Sequence, residues 1–476
     1  MKIIVLGAGP AGLSAAWHLS QKGASVEVLE AENQVGGLCR SIHHNGYIFD
    51  LGGHRFITKD EGLLNEIESL MGNELLVMPR KSVIRLQGKF FSYPLEIFDV
   101  FKKMNPWISF RSGLDFLIAK VTQSSNPDIS FEDWIVKRFG RTMYDIYFGP
   151  YTQKLWGMPP KQISANWAAQ RIPSLNLWNV FLRAIGKKKE APKTYALNFL
   201  YPQKGIGRIC DRMKEEIEKK SEKVHLNAKV KKILLSGNTI TEITYEKNNA
   251  DHKISADFVV STIPLPEFIK MIEPRVDEKY LTTANSMKFR GIKFLFLTIN
   301  KKQVTDNTWI YIPEEEYLFF RIQEMRNWSP GTVPEEKTAL TLEIACDEND
   351  SIWNAPDKDI FDRCICDLKK LGLIEEKDVL DYFTYKVKHA YPVYFLDYQE
   401  RVKNVYTYLA QIKNHLSIGR QGLYRYNNMD HSIKMGLLTA KHILEGYPRQ
   451  KILEIATENI IFDWQDPGYF DGGSKS

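Results

Sequence analysis

Gly7, Gly9 and Gly12 follow the apolar run Lys2–Leu6 and precede a stretch of helical spacing, Leu13 to Lys22, that ends at Gly23. Glycines at these three places suit one chemistry, the binding of a pyrophosphate. Gly7 permits a sharp turn, Gly9 lets the backbone approach the anion, and Gly12 lets the helix pack against the strand, while the helix N-terminus presents free N–H donors. The spacing predicts a second strand over Ser25–Leu29, ending at Glu30, 18 residues after Gly12. A carboxylate there can accept hydrogen bonds from ribose hydroxyls. The whole forms a strand, turn, helix, strand unit, the opening of a doubly wound α/β sheet that binds a dinucleotide.

The elements that position such a site come from a long chain. It has 476 residues, 43% hydrophobic and 12% aromatic, which excludes disordered, collagen-like and mini-protein classes and predicts two or three domains. Sixty-four basic against 58 acidic residues leave a scattered net charge of +6, so no nucleic-acid partner is expected. The five cysteines, with Cys364 and Cys366 inside a helix-like stretch, fit neither a disulfide framework nor a metal site, and reduced thiols are expected. Apolar runs fall short of the roughly 18 residues of a membrane span. Met1–Leu6 is followed by no apolar signal-peptide region, so a soluble, cytoplasmic protein without integral membrane association is expected.

Asp60 to Lys193 reads as mostly helical, with a capping box at Ser130–Asp133 and a solvated basic loop at Gly186–Lys193. Phe258–Pro264 reads as a buried strand meeting a proline. Lys293–Ile299, Tyr317–Ile322 and Ala339–Cys346 read as strands of a separate sheet, and Ser432–Leu444 as a closing helix. The predicted architecture is a Rossmann-like nucleotide-binding domain from 1–60, 196–268 and 395–450. It is joined by a mostly helical insert (61–195), an antiparallel-sheet substrate domain (269–394) and a tail (451–476).

Two further glycine pairs, in Gly36-Gly37-Leu38-Cys39-Arg40 and in Gly52-Gly53-His54-Arg55, choose between nicotinamide and flavin. With Ala228-Lys-Val230 and Val260-Ser-Thr-Ile-Pro264, they resemble the flavoprotein superfamily of amine oxidases, protoporphyrinogen oxidases, phytoene desaturases and UDP-galactopyranose mutases. The resemblance implies FAD, held by Gly7, Gly9, Ala11, Gly12, Glu30, Ala31, Gly37, Leu38, Arg40, Gly53, His54 and Val230, with the backbone near Val230 meeting adenine. Within the superfamily, Tyr147-Phe-Gly-Pro-Tyr151-Thr-Gln-Lys-Leu-Trp156-Gly157 is similar to the mutase signature that lines the sugar pocket. Arg171 and Arg321 resemble the two arginines on the substrate diphosphate. Gly419-Arg420 to Met429-Asp430 resembles the C-terminal flavin motif, with Tyr424 and Tyr426 facing substrate.

The resemblance thus implies an FAD-dependent nucleotide-sugar mutase interconverting pyranose and furanose rings, active with reduced FAD and serving polysaccharide biosynthesis. Arg171 and Arg321 would hold the leaving diphosphate, a task for planar bidentate donors. Tyr147 and Trp156 would line the substrate pocket, Tyr151 would stack the base, Tyr424 and Tyr426 would bind the phosphates and His54 would tune the flavin. No second dinucleotide fingerprint is present, so NAD(P)H is expected only as a transient reductant. Two alternatives stay open: an oxidoreductase of amine oxidase, protoporphyrinogen oxidase or desaturase type, and an FAD-stabilised binding scaffold. The chain departs from the usual mutase pattern at Asn428, where an aspartate is common. The sequence leaves the sugar, the nucleotide and the oligomeric state open.

Overall fold

Short apolar runs bounded by glycine become parallel strands. Lys2–Leu6 lies between Phe258–Ser261 and Ser25–Leu29, with His415–Ser417 and Lys223–His225 at the edges, and all four pairings are parallel. Ile3 to Leu6 are fully buried, as expected of a strand covered on both faces. The computed structural model describes residues 1–93, 102–121, 127–172 and 198–455, and assembles this layer from three distant parts of the chain.

Helix Pro10–Gln21 starts with proline at its first turn, where no intrahelical N–H bond is lost. It packs against the closing helix Met429–Glu445 at Gly436. A Cβ on Gly436 would lie 2.5 Å from the Ala11 carbonyl oxygen and 2.6 Å from the Ala15 nitrogen, so the approach requires glycine.

The second layer is a seven-stranded sheet in the order Val379–Pro392, Phe289–Ile299, Thr338–Ala345, Arg321–Glu324, Trp309–Tyr311, Ser82–Leu86, Lys89–Ser92. It is antiparallel except where Trp309–Tyr311 runs parallel to Ser82–Leu86. The stretch expected to be mostly helical therefore contributes a hairpin to this seven-stranded sheet. Gln87 and Gly88, both at positive φ, close it in a two-residue turn. Helices do follow: Phe131–Phe139 begins with the expected box, the Ser130 oxygen accepting from the Asp133 N–H (3.2 Å) and Asp133 accepting from the Ser130 N–H (2.9 Å). The basic loop at 186–193 and the residues beyond 455 lie outside the described residues.

Period-two alternation in Phe289–Ile299 sorts the core. Leu295, Leu297 and Ile299 pack with Ile360, Phe361, Cys364 and Leu368 of helix Asp357–Lys370, each buried leucine contributing about 1.5–3 kcal/mol. Phe296 turns the other way onto Phe49 at 4.8 Å, and Ile292 and Phe294 on that face floor a cavity. All five cysteines are free thiols.

His415 is buried and stacked on Phe268 at 4.5 Å, and burial, reinforced by the charge of Arg449, pushes its pKa down to about 3. An unfolded histidine titrates near 6.5, so below about pH 6.5 the unfolded chain takes up a proton that the native state refuses. This contribution to stability is present above that pH and is lost as pH falls towards 3, at about 1.4 kcal/mol per pH unit. In urea unfolding between about pH 6 and 4, His415→Leu is expected to reduce the acid slope by that amount; an unchanged slope refutes the assignment. At neutral pH, Gly436→Val should lower the unfolding free energy by about 1–3 kcal/mol through overpacking, measured in the same way.

Candidate functional site

The glycine turn sets one end of the site. Gly7 is at φ +97°, and a Cβ on Gly12 would strike the Gly7 carbonyl oxygen at 2.1 Å. No side chain caps the helix that begins after Gly9, which leaves its N-terminal N–H groups to an anion. Glu30 is buried at the end of its strand and accepts from the Ala8 N–H (2.6 Å) and the Glu32 N–H (3.0 Å). Burial raises its carboxyl above the ordinary value, although those two donors and the Arg40 charge act in the opposite direction.

Neighbouring segments converge on this turn. The Ala228 N–H bonds the Glu30 carbonyl at 2.7 Å, bringing buried Val230 close by, while Ala31 is exposed. The Gly36 N–H bonds the Ala8 carbonyl at 2.8 Å, and Arg40 braces the bend by donating from Nε to the Gly37 carbonyl (2.8 Å). Leu38, on that bend, already belongs to the wall of a cavity of about 810 Å³.

Gly52, Gly53 and His54 line the cavity, as do Arg420, Tyr426, Met429 and Asp430. Gly53 lies flat on Trp309, whose ring would be 2.4 Å from a Cβ at that position. His54 Nε2 is 3.0 Å from the Leu51 carbonyl, an acceptor that requires the proton on Nε2. Burial first, then the charges of Arg420 and Arg321, push the His54 pKa down to about 3, so its imidazole is neutral at physiological pH. The Arg420 guanidinium donates from Nη2 to the Asn427 carbonyl (2.7 Å) and lies 4.6 Å from the centre of the Tyr426 ring.

Arg321 lines the cavity too, but it is not the open clamp expected from the sequence. Its Nε and Nη2 donate to Glu343 at 2.6 and 2.5 Å, and Gln323 donates to the same carboxylate at 2.7 Å. Burial opposes the charge, and the Glu343 carboxylate more than offsets this, holding Arg321 well above its ordinary pKa. A carboxylate buried on a cavity wall needs such a partner, which is why the fork is already used on one edge.

The expected substrate aromatics also divide. Tyr426 is in the wall, stacked on Tyr391 at 6.1 Å. Tyr424 is turned away, its hydroxyl donating to the carbonyls of Lys288 (2.6 Å) and Val393 (3.0 Å). Tyr147, Tyr151 and Trp156 form a layer behind the wall: Tyr151 meets Tyr147, Tyr311 and Phe320, and Trp156 meets Trp167 and Tyr391. These rings pack because large aromatics bury more area against each other than against solvent. The Lys154 ammonium of the same signature donates to the carbonyls of Ile312 and Glu314, and burial pushes its pKa down to about 7. Arg171 ends helix Ala165–Arg171; its side chain lies outside the described residues.

Sequence reasoning missed Glu343, Gln323, Trp309 and Tyr391. Glu343 carried a signal, being an acid in the otherwise uncharged strand Thr338–Ala345. Among the described residues, Asp430 Oδ1 and Trp309 Nε1 are buried without a hydrogen-bond partner, and both residues lie on the cavity wall. Orphaned polar atoms, an uncapped helix N-terminus and a glycine cradle together suit a dinucleotide cofactor carrying a polar ring system.

The chain is similar to several known proteins. Over part of its length, the chain is 25% identical to dTDP-fucopyranose mutase of Escherichia coli (36% of this chain, 46% of that protein). It is 28% identical to mitochondrial protoporphyrinogen oxidase of Nicotiana tabacum (41% and 42%), so the matches span less than half of either relative. The fold superposes on a crystal structure of reduced UDP-galactopyranose mutase with a TM-score of 0.82 and 22% identity, covering 96% of this chain and 98% of that one. The sequence profile of the flavin containing amine oxidoreductases matches residues 10–400, and the chain belongs to that family.

Proposed function

We propose that this flavoenzyme uses FAD to interconvert the pyranose and furanose forms of a nucleotide-activated sugar. The observation that carries the reading is the chemistry of the cavity wall. Arg55, Lys59 and Arg420 line it together with the phenols of Tyr93, Tyr311, Tyr391 and Tyr426 and the amide of Gln170. Such a lining matches an anionic, hydroxyl-rich ligand better than a hydrocarbon. The full-length likeness to a mutase fold is consistent with it.

In this reading the Gly7–Gly12 turn and its helix end hold the FAD pyrophosphate, Glu30 the ribose, and the backbone near Val230 the adenine. Leu38, Gly53, Met429 and Asp430 would border the ring system. Bound reduced FAD supplies a nucleophile for the anomeric carbon, with NAD(P)H as its transient reductant. The protein supplies position and charge. Arg420, stacked on Tyr426, and the edge of Arg321 that Glu343 leaves open stabilise the departing diphosphate, with Arg171 as a second clamp. Neutral His54 donates from Nε2 to the Leu51 carbonyl and therefore shapes the wall without carrying a charge. Cytoplasmic polysaccharide biosynthesis is the setting this assignment suggests.

One observation favours the oxidoreductase alternative. Arg321 has committed two donors to Glu343, which lowers the net charge available for a diphosphate, and porphyrinogen oxidases are among the relatives.

Titrating the purified flavoprotein with UDP-galactopyranose, dTDP-fucopyranose and coproporphyrinogen, oxidised and dithionite-reduced, separates the readings. A nucleotide sugar is expected to perturb the flavin spectrum and to yield its ring isomer only after reduction; porphyrinogen oxidation without nucleotide binding would overturn the proposal. Removing Arg321 alone would strand Glu343, at a cost of about 3–5 kcal/mol for a broken buried pair. The double variant Arg321→Gln, Glu343→Gln is expected to retain FAD while kcat/KM for the nucleotide sugar falls at least about tenfold, ~1.4 kcal/mol. Unchanged turnover would remove Arg321 from the substrate site.

A further inference from the structure

Helix Pro106–Val121 is amphipathic in the wrong sense for water. Trp107, Phe110, Leu114, Leu117 and Val121 recur at spacings of three and four, and they are 70%, 62%, 47%, 61% and 86% exposed. The small polar residues Ser109 and Ser112 are buried instead. A helix in water normally presents the opposite arrangement. Sixteen residues give an apolar stripe of roughly 24 Å. Scattered apolar residues on a surface need no explanation, but a continuous stripe marks an interaction face.

The polar groups around the stripe are also sorted. Asp115, the helix's acid, is turned inward, accepting from the N–H (2.9 Å) and hydroxyl (2.6 Å) of Thr142. Nearby Asp128 is held by Lys137 and Arg138, and Glu132 by Arg141. Lys102 and Arg111 are exposed beside the stripe. The face is therefore apolar with cationic flanks and its neighbouring acids engaged. The chain just before the helix is tied to the body: Lys103 Nζ donates to the Phe90 carbonyl and Lys89 Nζ to the Lys103 carbonyl, both at 2.9 Å. Those bonds anchor it to the strand that leads into Tyr93 of the cavity wall.

We propose that helix Pro106–Val121 lies in the interface of an anionic lipid bilayer and seats the protein on it. Aromatic and aliphatic side chains enter the headgroup boundary, and Lys102 and Arg111 meet the anionic headgroups, the mode of an in-plane helix. No described helix is long and apolar enough to cross a membrane, so the attachment is peripheral. A second copy of the chain fits less well, because a two-fold contact through this stripe brings Lys102 and Arg111 against their own counterparts.

The test is flotation of the full-length holoprotein with vesicles of phosphatidylcholine alone or mixed with phosphatidylglycerol. Binding is expected only to the mixed vesicles and should weaken in about 0.5 M salt. Phe110→Asp with Leu114→Asp should cut the partition coefficient at least about tenfold while FAD content and thermal unfolding stay unchanged, since both side chains are exposed. Arg111→Glu should reduce the preference for the anionic lipid. Absent flotation, or flotation unaffected by the double variant, overturns the proposal. So does light scattering that shows a dimer which the double variant dissociates, because the face would then bind a second copy.

Discussion

A guanidinium and a carboxylate buried side by side must satisfy each other, and the pairing of Arg321 with Glu343 sets the geometry of everything around the cavity. The two residues sit opposite one another on adjacent antiparallel strands, with Gln323 completing the carboxylate's bonds. Their charged ends come up beneath Gly52, where a Cβ would lie 3.6 Å from Glu343 and 3.7 Å from Arg321. The Gly52–Gly53 turn rests on this pair and on the Trp309 ring, and His54 takes its neutral state partly from Arg321. Such a pair is worth little to net stability compared with apolar packing, but breaking it is costly, so it fixes one arrangement.

The pair lies within the layer that faces both the helix and the core. Phe289–Ile299 and Thr338–Ala345 show one face to helix Asp357–Lys370 and the other to the core that contains Phe49 and the parallel sheet. Because a strand alternates its side chains, Glu343 necessarily faces the cavity when Leu342 and Ile344 face the helix. A cavity between a parallel layer and a largely antiparallel one follows from these alternations. Its polar wall is the part of the sheet that no apolar partner covers.

Legibility in the sequence varied with the range of the interaction that decides each feature. Gly7, Gly9, Gly12 and Glu30 were readable because turn, helix start and strand end are decided within thirty residues. The capping box at Ser130 and the closing helix were readable for the same reason. The hairpin Ser82–Ser92 is not legible within the mostly helical stretch, since its strands are held by Trp309–Tyr311, far along the chain. Tyr424 and Tyr426 show the limit most clearly. They are two residues apart in one motif, yet one hydroxyl is bound to core carbonyls and the other ring lines the cavity.

By itself, the sequence determined the strand, glycine turn, helix and strand unit and the layered α/β class, because glycine spacing, short apolar strands and a strand-end carboxylate act through local geometry and burial. Only the tertiary structure decided that the Arg321 fork is already held on one edge. A charge acquires its partner, its solvation and its reach when distant strands are brought together, and Arg321 met Glu343 only when the sheet was formed. The same holds for the inverted helix Pro106–Val121, whose apolar stripe faces outward while Ser109 and Ser112 are buried and Asp115 is bonded to Thr142.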